Sequence, residues 1–360
     1  MKAWKYRRLM PKVMVARLQL IKPATITDLV GRDWHTIHST LLTTPYQTAI
    51  SSIPPSELNG NSVEKALLTH YISTLHDIKI HSPKEIAILT STIMNKFEAR
   101  NVKSVLRARW AGVSVSDALA FIVPAERMDE KRCVHILEHS ENIDDVIGQL
   151  SDLEYGSTLK LAFESQKPLN HLLPLETAID RIVYGQIIKA VEKLRGLDKH
   201  ISQTVIGLEI ASVNLKTVLR SKSLGIEHDH IIPYLLPSEM FGKKTLDAII
   251  STADIRAFLE SLLAKAQRGI TRDFQYMLTD SIQEYTASQS LPRIEMVLDK
   301  YLLKTSLRML KRYTPFFNIG LLLAFLNAKW FEIRNLRIIM SGARAHQPPN
   351  RIKDLLILPE

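Results

Sequence analysis

Apolar residues in this chain recur at steps of three and four far more often than in strict alternation. Between positions 175 and 197 the set Ile179, Ile182, Val183, Ile187, Val191 and Leu194 marks one face of a 3.6-residue period. Similar stretches cover 64–78, 83–107, 198–220, 291–310 and 317–340. Glycine numbers only 13 among 360 residues, and the dipeptides that favour tight hairpins are few. The pattern predicts an all-α chain built from long helices. Its longest uninterrupted apolar window, 319–326, is far short of the ~20 residues a membrane-spanning helix needs.

One helical phrase occurs three times. Asn101-Val-Lys-Ser-Val-Leu-Arg107, Asn214-Leu-Lys-Thr-Val-Leu-Arg220 and Asn335-Leu-Arg-Ile-Ile-Met-Ser341 share an asparagine, an aliphatic residue, a cation and two further apolar positions. The asparagines lie 113 and 121 residues apart. Each phrase is followed by an apolar run ending in proline, at Pro124, Pro237 and Pro359, which lie 23, 23 and 24 residues beyond the asparagine. Each is preceded, by 37, 38 and 40 residues, by Glu64, Glu176 and Glu295. A further anchor, Leu41 to Tyr46, returns as Leu150 to Tyr155, whereas the third copy offers Leu262 and Gln267. The spacing predicts three tandem helical subdomains, 1–124, 125–237 and 238–360, each longer than a solenoid repeat and able to form a pseudo-threefold object.

Composition changes this picture little. Hydrophobic and charged fractions of 46% and 23% are those of an ordinary globular protein. The net charge of +10 is uneven: 1–124 carries +8, 125–237 carries −4 and 238–360 carries +6. A basic excess permits nucleic acid, anionic lipid or acidic protein partners. With aromatics at only 7%, the charge reads as an uneven docking surface, and no nucleic-acid partner is expected. Cys133 is the single cysteine, which excludes an internal disulfide and reads as a buried thiol.

Catalytic signals are absent. Met240-Phe-Gly-Lys-Lys-Thr245 has the tail of a phosphate loop, but Pro237 takes the place of the first glycine and no strand precedes it, so nucleotide binding is not expected. His228-Asp229-His230 lacks further ligands for a metal, and His35 and His38 suit a surface or capping role. Asp144 and Asp145 fall at a helix start near Ile143, where the dipole favours acids without any cation. No catalytic residue, cofactor or metal is expected.

Taken together, the three asparagine phrases, Leu41-Leu-Thr-Thr-Pro-Tyr46 and Trp330-Phe-Glu-Ile-Arg-Asn-Leu336 within 316–340 resemble the C-subunit family of archaeal and bacterial V/A-type rotary ATPases, related to the V-ATPase d subunit. The resemblance spans the whole chain. It implies a funnel-like, all-helical, non-catalytic rotor part, peripheral to the membrane on its cytoplasmic side. Such a part would be one monomer in a hetero-oligomer, joining the central shaft subunits D and F to the proteolipid (c/K-type) ring. The weak third copy, with Gln267 for tyrosine and Ser341 for arginine, departs from strict equivalence. A helical scaffold binding RNA or acidic proteins is the alternative, and a helical metalloenzyme a more distant one.

Two residue sets stand out for testing. Asn101, Asn214 and Asn335 are poor helix formers placed in apolar helices, which predicts a structural side-chain hydrogen bond at the same place in each copy. Arg107, Arg109, Arg220 and Lys222 lie near helix C-termini, where cations complement the dipole. The same four are the candidate partner-interface residues, able to meet carboxylates of the ring or the shaft.

Overall fold

A computed structural model describes residues 3–165, 171–238, 250–251, 254–266, 272–313 and 318–359; the phosphate-loop-like segment 240–245, Gln267 and the side chains of His228 and His230 lie outside them. Every regular element among the described residues is a helix. The chain begins with a 3-10 turn, Ala3–Tyr6, followed by α1 (Leu9–Leu18), α2 (Pro23–Asp28), α3 (Trp34–Leu41) and α4 (Gln47–Ser51). Two long helices, α5 (Gly60–His81) and α6 (Lys84–Ala111), come next. Short helices α7 (Val115–Leu119), α8 (Glu130–Glu138), α9 (Ile143–Gln149) and α10 (Gly156–Glu164) lead to a second long pair, α11 (Leu173–Glu192) and α12 (Gly196–Ser223). After α13 (His228–Ile231), α14 (Ile255–Ala266) and α15 (Arg272–Ser288), a third pair follows, α16 (Leu291–Arg312) and α17 (Gly320–Arg344), and α18 (Pro349–Asp354) closes the series.

The order of short helices followed by a long pair thus occurs three times. Local chemistry sets the boundaries. At the start of α5, Asn59 Oδ1 accepts from the amides of Asn61 and Ser62 at 2.9 and 3.1 Å, and Ser62 Oγ accepts from Asn59 N–H at 2.9 Å, which satisfies amides no helical carbonyl can reach. Gly112, at φ 64°, ends α6 in the left-handed conformation that glycine adopts without a Cβ clash. Asn142 caps α9, placing Asp144 and Asp145 in its first turn. The single periodic stretch predicted over 175–197 breaks after Glu192, because Gly196, at φ 55°, turns the chain into α12. Leu194 is buried in the turn, so the apolar pattern runs on although the helix does not.

By packing, the chain divides into two compact units, Met1–Leu194 with Ala328–Leu356, and Arg195–Asn327 with Ile357–Glu360. In the first, α6 packs on α5 and α11, α10 packs on α11, and α1 packs on α5. Its buried interior includes Leu67, Leu75, Val102, Val105, Leu106, Leu175, Ile179 and Ile187. In the second, α15 packs against both α14 and α16, and α12 packs on α16. Phe258, Leu262, Phe274, Met277, Leu278 and Leu298 form its centre, with Leu208, Leu215 and Leu219 of α12. Each such aliphatic side chain contributes roughly 1.5–3 kcal/mol when withdrawn from water.

Candidate functional site: the charged helix junctions

The repeated asparagines are buried. Asn101 Nδ2 donates to the carbonyls of Val123 and Met128 at 2.6 and 2.8 Å, while its Oδ1 accepts from Val123 N–H at 3.0 Å. Asn214 bonds the segment before its own proline in the same way: Nδ2 donates to Leu236 O at 3.0 Å and Oδ1 accepts from Leu236 N–H at 2.7 Å. Irregular backbone inside a core must find such partners, and an amide side chain offers both a donor and an acceptor at one point. Asn335 is likewise only 1% exposed.

The candidate docking cations face other parts of the chain. Across α6 and α11, Lys103 Nζ lies 2.6 Å from Asp180, and Arg107 grips Glu176 with two bonds of 2.6 and 2.9 Å. Across α12 and α16, Lys216 lies 2.6 Å from Asp299, and Arg220 grips Glu295 with two bonds of 2.6 Å. The cations sit two and six residues after the asparagine, and the acids sit at the glutamate anchor and four residues beyond it. These steps keep each set on one helix face. Arg109 donates to Leu137 O, and Lys222 Nζ donates to Ile250 O at 2.7 Å. Burial lowers the Lys222 pKa, opposed by Asp254.

Where Ala328–Arg344 of α17 meets α5, the ladder changes. Ser341 stands where Arg107 and Arg220 stand, and Leu68 stands where Asp180 and Asp299 stand. Arg337 instead pairs with Glu64 at 3.2 Å, and Arg100 approaches the same carboxylate at 3.4 Å. Two cations therefore share one acid here, where each acid of the other ladders has its own cation.

Three residues before the repeated asparagine lies a second site that sequence reasoning missed. Glu98, only 4% exposed, accepts from Arg127 at 2.9 and 3.2 Å and from Tyr155 OH at 3.2 Å. Glu332, at the corresponding place before Asn335, accepts from Tyr46 OH at 2.7 Å, from Ile21 N–H at 2.5 Å and from Lys329 Nζ at 2.9 Å. The Lys329 ammonium also lies 4.0 Å from the centre of the Tyr46 ring. Burial first, then the neighbouring carboxylate, pushes both tyrosine hydroxyls well above their ordinary pKa. Burial lowers Lys329, against the pull of Glu332, and lowers His70 to about 4, with Lys329 adding to that effect. Before Asn214 the equivalent residue is Ala211, packed in the apolar cluster. By sequence spacing the position matching Tyr46 and Tyr155 is Gln267, so acid and tyrosine are missing together, although only the fold shows that the two pair.

Other candidates are accounted for locally. Cys133 is buried, its sulfur 3.7 Å from Met128 O, and burial pushes its thiol up to about 12. His38 stacks on Trp34, and Asp33 caps α3 by accepting from Thr36 N–H at 2.7 Å. Among the described residues no cluster of three or more His, Cys, Asp or Glu is placed to hold a metal. None of their helices is long and apolar enough to cross a membrane.

Sequence comparison finds relatives along most of the chain. The A-type ATP synthase C subunit of Methanothermobacter thermautotrophicus is 26% identical over 296 residues, covering 82% of this chain and 74% of that protein. The protein of the same name from Methanocaldococcus jannaschii is 23% identical over 341 residues, 94% of this chain and 80% of the relative. That of Haloferax volcanii is 23% identical over 355 residues, covering 97% of both chains. The ATP synthase (C/AC39) subunit family model matches residues 9–355, and the chain belongs to that family.

Proposed function

We propose that the chain is a non-catalytic central-stalk subunit of a V/A-type rotary ATPase. It couples shaft subunits D and F to the proteolipid ring on the cytoplasmic face of the membrane, so that ion translocation and ATP synthesis or hydrolysis turn together. The family supports a structural subunit of a membrane-associated ATP synthase complex. The three copies bounded at 124 and 237, and their funnel-like arrangement, belong to the same proposal and rest on the repeat and the resemblance.

The observation that carries the coupling role is the pair of charged ladders. A part that transmits torque must resist sliding of one helix pair along the next. Bidentate Arg–Glu contacts fix register in two directions, whereas apolar packing alone permits slip. The side chains of Arg107 and Arg220 are still 60% and 62% exposed while bound to their glutamates, so both remain available to a ring or shaft carboxylate.

Affinity purification of the tagged chain from its native membranes tests the assignment: recovery of the proteolipid ring or the shaft subunits is expected, and recovery of the chain alone would refute it. A charge swap separates the two uses of arginine. Arg107→Glu combined with Glu176→Arg restores the internal pair but reverses the outward charge. Ring or shaft retention should fall at unchanged helicity if Arg107 docks, and stay constant if it only holds the junction.

A further inference from the structure

The N-terminal segment has chemistry that the helix junctions do not use. Seven Lys and Arg precede the first acid, Asp28. On α1, Leu9, Met10 and Val13 are buried, and this face packs on α5. That face completes the fold. The opposite face is apolar a second time: Leu18 is 84% exposed, Trp4 in the preceding turn 70% and Val15 57%, with Met14 at its border. The spacing from Val15 to Leu18 keeps the two on one outward stripe. Arg8 is exposed beside it, Arg17 is exposed on the flank nearer the packed face, and the Arg7 guanidinium lies 3.7 Å over the Trp4 ring. Lys12 reaches back to Asp77 at 3.3 Å, so the outward charge comes from the arginines and Lys22.

A helix that already buries one face gains nothing in folding from large apolar groups on the other. We propose that the outward face of 4–22 docks on an anionic phospholipid surface. Its cations would meet headgroup phosphates while Trp4, Val15 and Leu18 enter the headgroup–acyl boundary. Charge complementarity decides among occupants together with the aliphatics: an acid-free basic segment suits an anionic surface, and RNA would reward stacked aromatics but not Val15 or Leu18. An exposed tryptophan beside an arginine is an amphipathic pattern that favours a membrane interface. This contact is independent of coupling to the ring, and the isolated chain suffices to test it.

The experiment is flotation of the purified full chain with phosphatidylcholine vesicles, with or without 30% phosphatidylglycerol. Binding is expected only to the anionic vesicles and should weaken as salt rises. The triple variant Arg7→Gln/Arg8→Gln/Arg17→Gln should bind about a hundredfold more weakly. Val15→Ser/Leu18→Ser should bind more weakly while retaining its salt dependence. In the wild type, a lipid-borne quencher should reduce tryptophan fluorescence, and Trp4→Phe should abolish that part of the signal. All substituted side chains are exposed, so helicity should be unchanged. Equal binding to neutral vesicles, indifference to either variant, or capture of RNA with no flotation would overturn the proposal.

Discussion

Across α6 and α11, Lys103–Asp180 and Arg107–Glu176 form two rungs; across α12 and α16, Lys216–Asp299 and Arg220–Glu295 form the same two at the same offsets from a buried asparagine. Behind those rungs the two regions part. The first holds Glu98 between Arg127 and Tyr155, whereas the second has Ala211 in an apolar cluster. These two junctions therefore share a partly exposed ladder and an asparagine staple, and accept either a satisfied polar triad or hydrocarbon three residues before the asparagine. The physical reason is that a buried carboxylate with all its bonds made and well-packed hydrocarbon of similar volume have comparable net free energy, while a half-satisfied carboxylate does not.

The buried Glu332 site, where α17 meets Tyr46 and Ile21, should break most severely. Glu332→Ala leaves the Lys329 ammonium, 2% exposed, without its counter-charge, and should cost about 3–5 kcal/mol by urea denaturation. Adding Lys329→Met should return a large part of that loss. Next come the staples. Asn101→Ala orphans two carbonyls and an amide and should cost about 2–3 kcal/mol; Asn214→Ala, with one carbonyl fewer, should cost less. A third pair of variants converts one junction toward the other. Glu98→Ala should cost about 1–2 kcal/mol, and Glu98→Ala/Tyr155→Phe less than the sum of its parts; strict additivity would show that the two groups do not act as a unit. Arg107→Ala and Arg220→Ala should each cost no more than about 1 kcal/mol, shrinking in high salt, because these pairs face solvent.

The smallest effect is pH-dependent. Burial holds His70 at about 4 in the folded chain against an ordinary 6.5. As pH falls from 6.5 toward 4, the unfolded chain binds a proton that the folded imidazole refuses, so stability is complete above 6.5 and declines through that window. The ring is only partly shielded, and the slope should be shallow. His70→Gln should flatten it; an unchanged slope would assign the pH dependence to other groups.

Helix positions were legible along the chain because the 3.6-residue pattern records which side of each helix faces the interior. The stretches 64–78, 83–107 and 198–220 all fall within observed helices, apart from Pro83 at the cap of α6. The recurring asparagine drew attention to one place in the helix, and at Asn101 and Asn214 the fold supplies backbone partners there. Glu98 and Glu332 were not. On a helical wheel each is an ordinary glutamate, and only the fold brings Tyr155 and Tyr46 to them from distant segments. Nor could sequence spacing show that Arg107 and Arg220 close on Glu176 and Glu295, because a cation near a helix end fits solvent, the dipole or a partner equally well. The sequence by itself determined the all-helical class, the threefold recurrence of the asparagine phrase and the basic N-terminus, all properties of local periodicity and composition. Tertiary structure alone decided which charges satisfy each other, because Coulomb attraction and hydrogen bonding act over a few ångströms of space and carry no signature of distance along the chain.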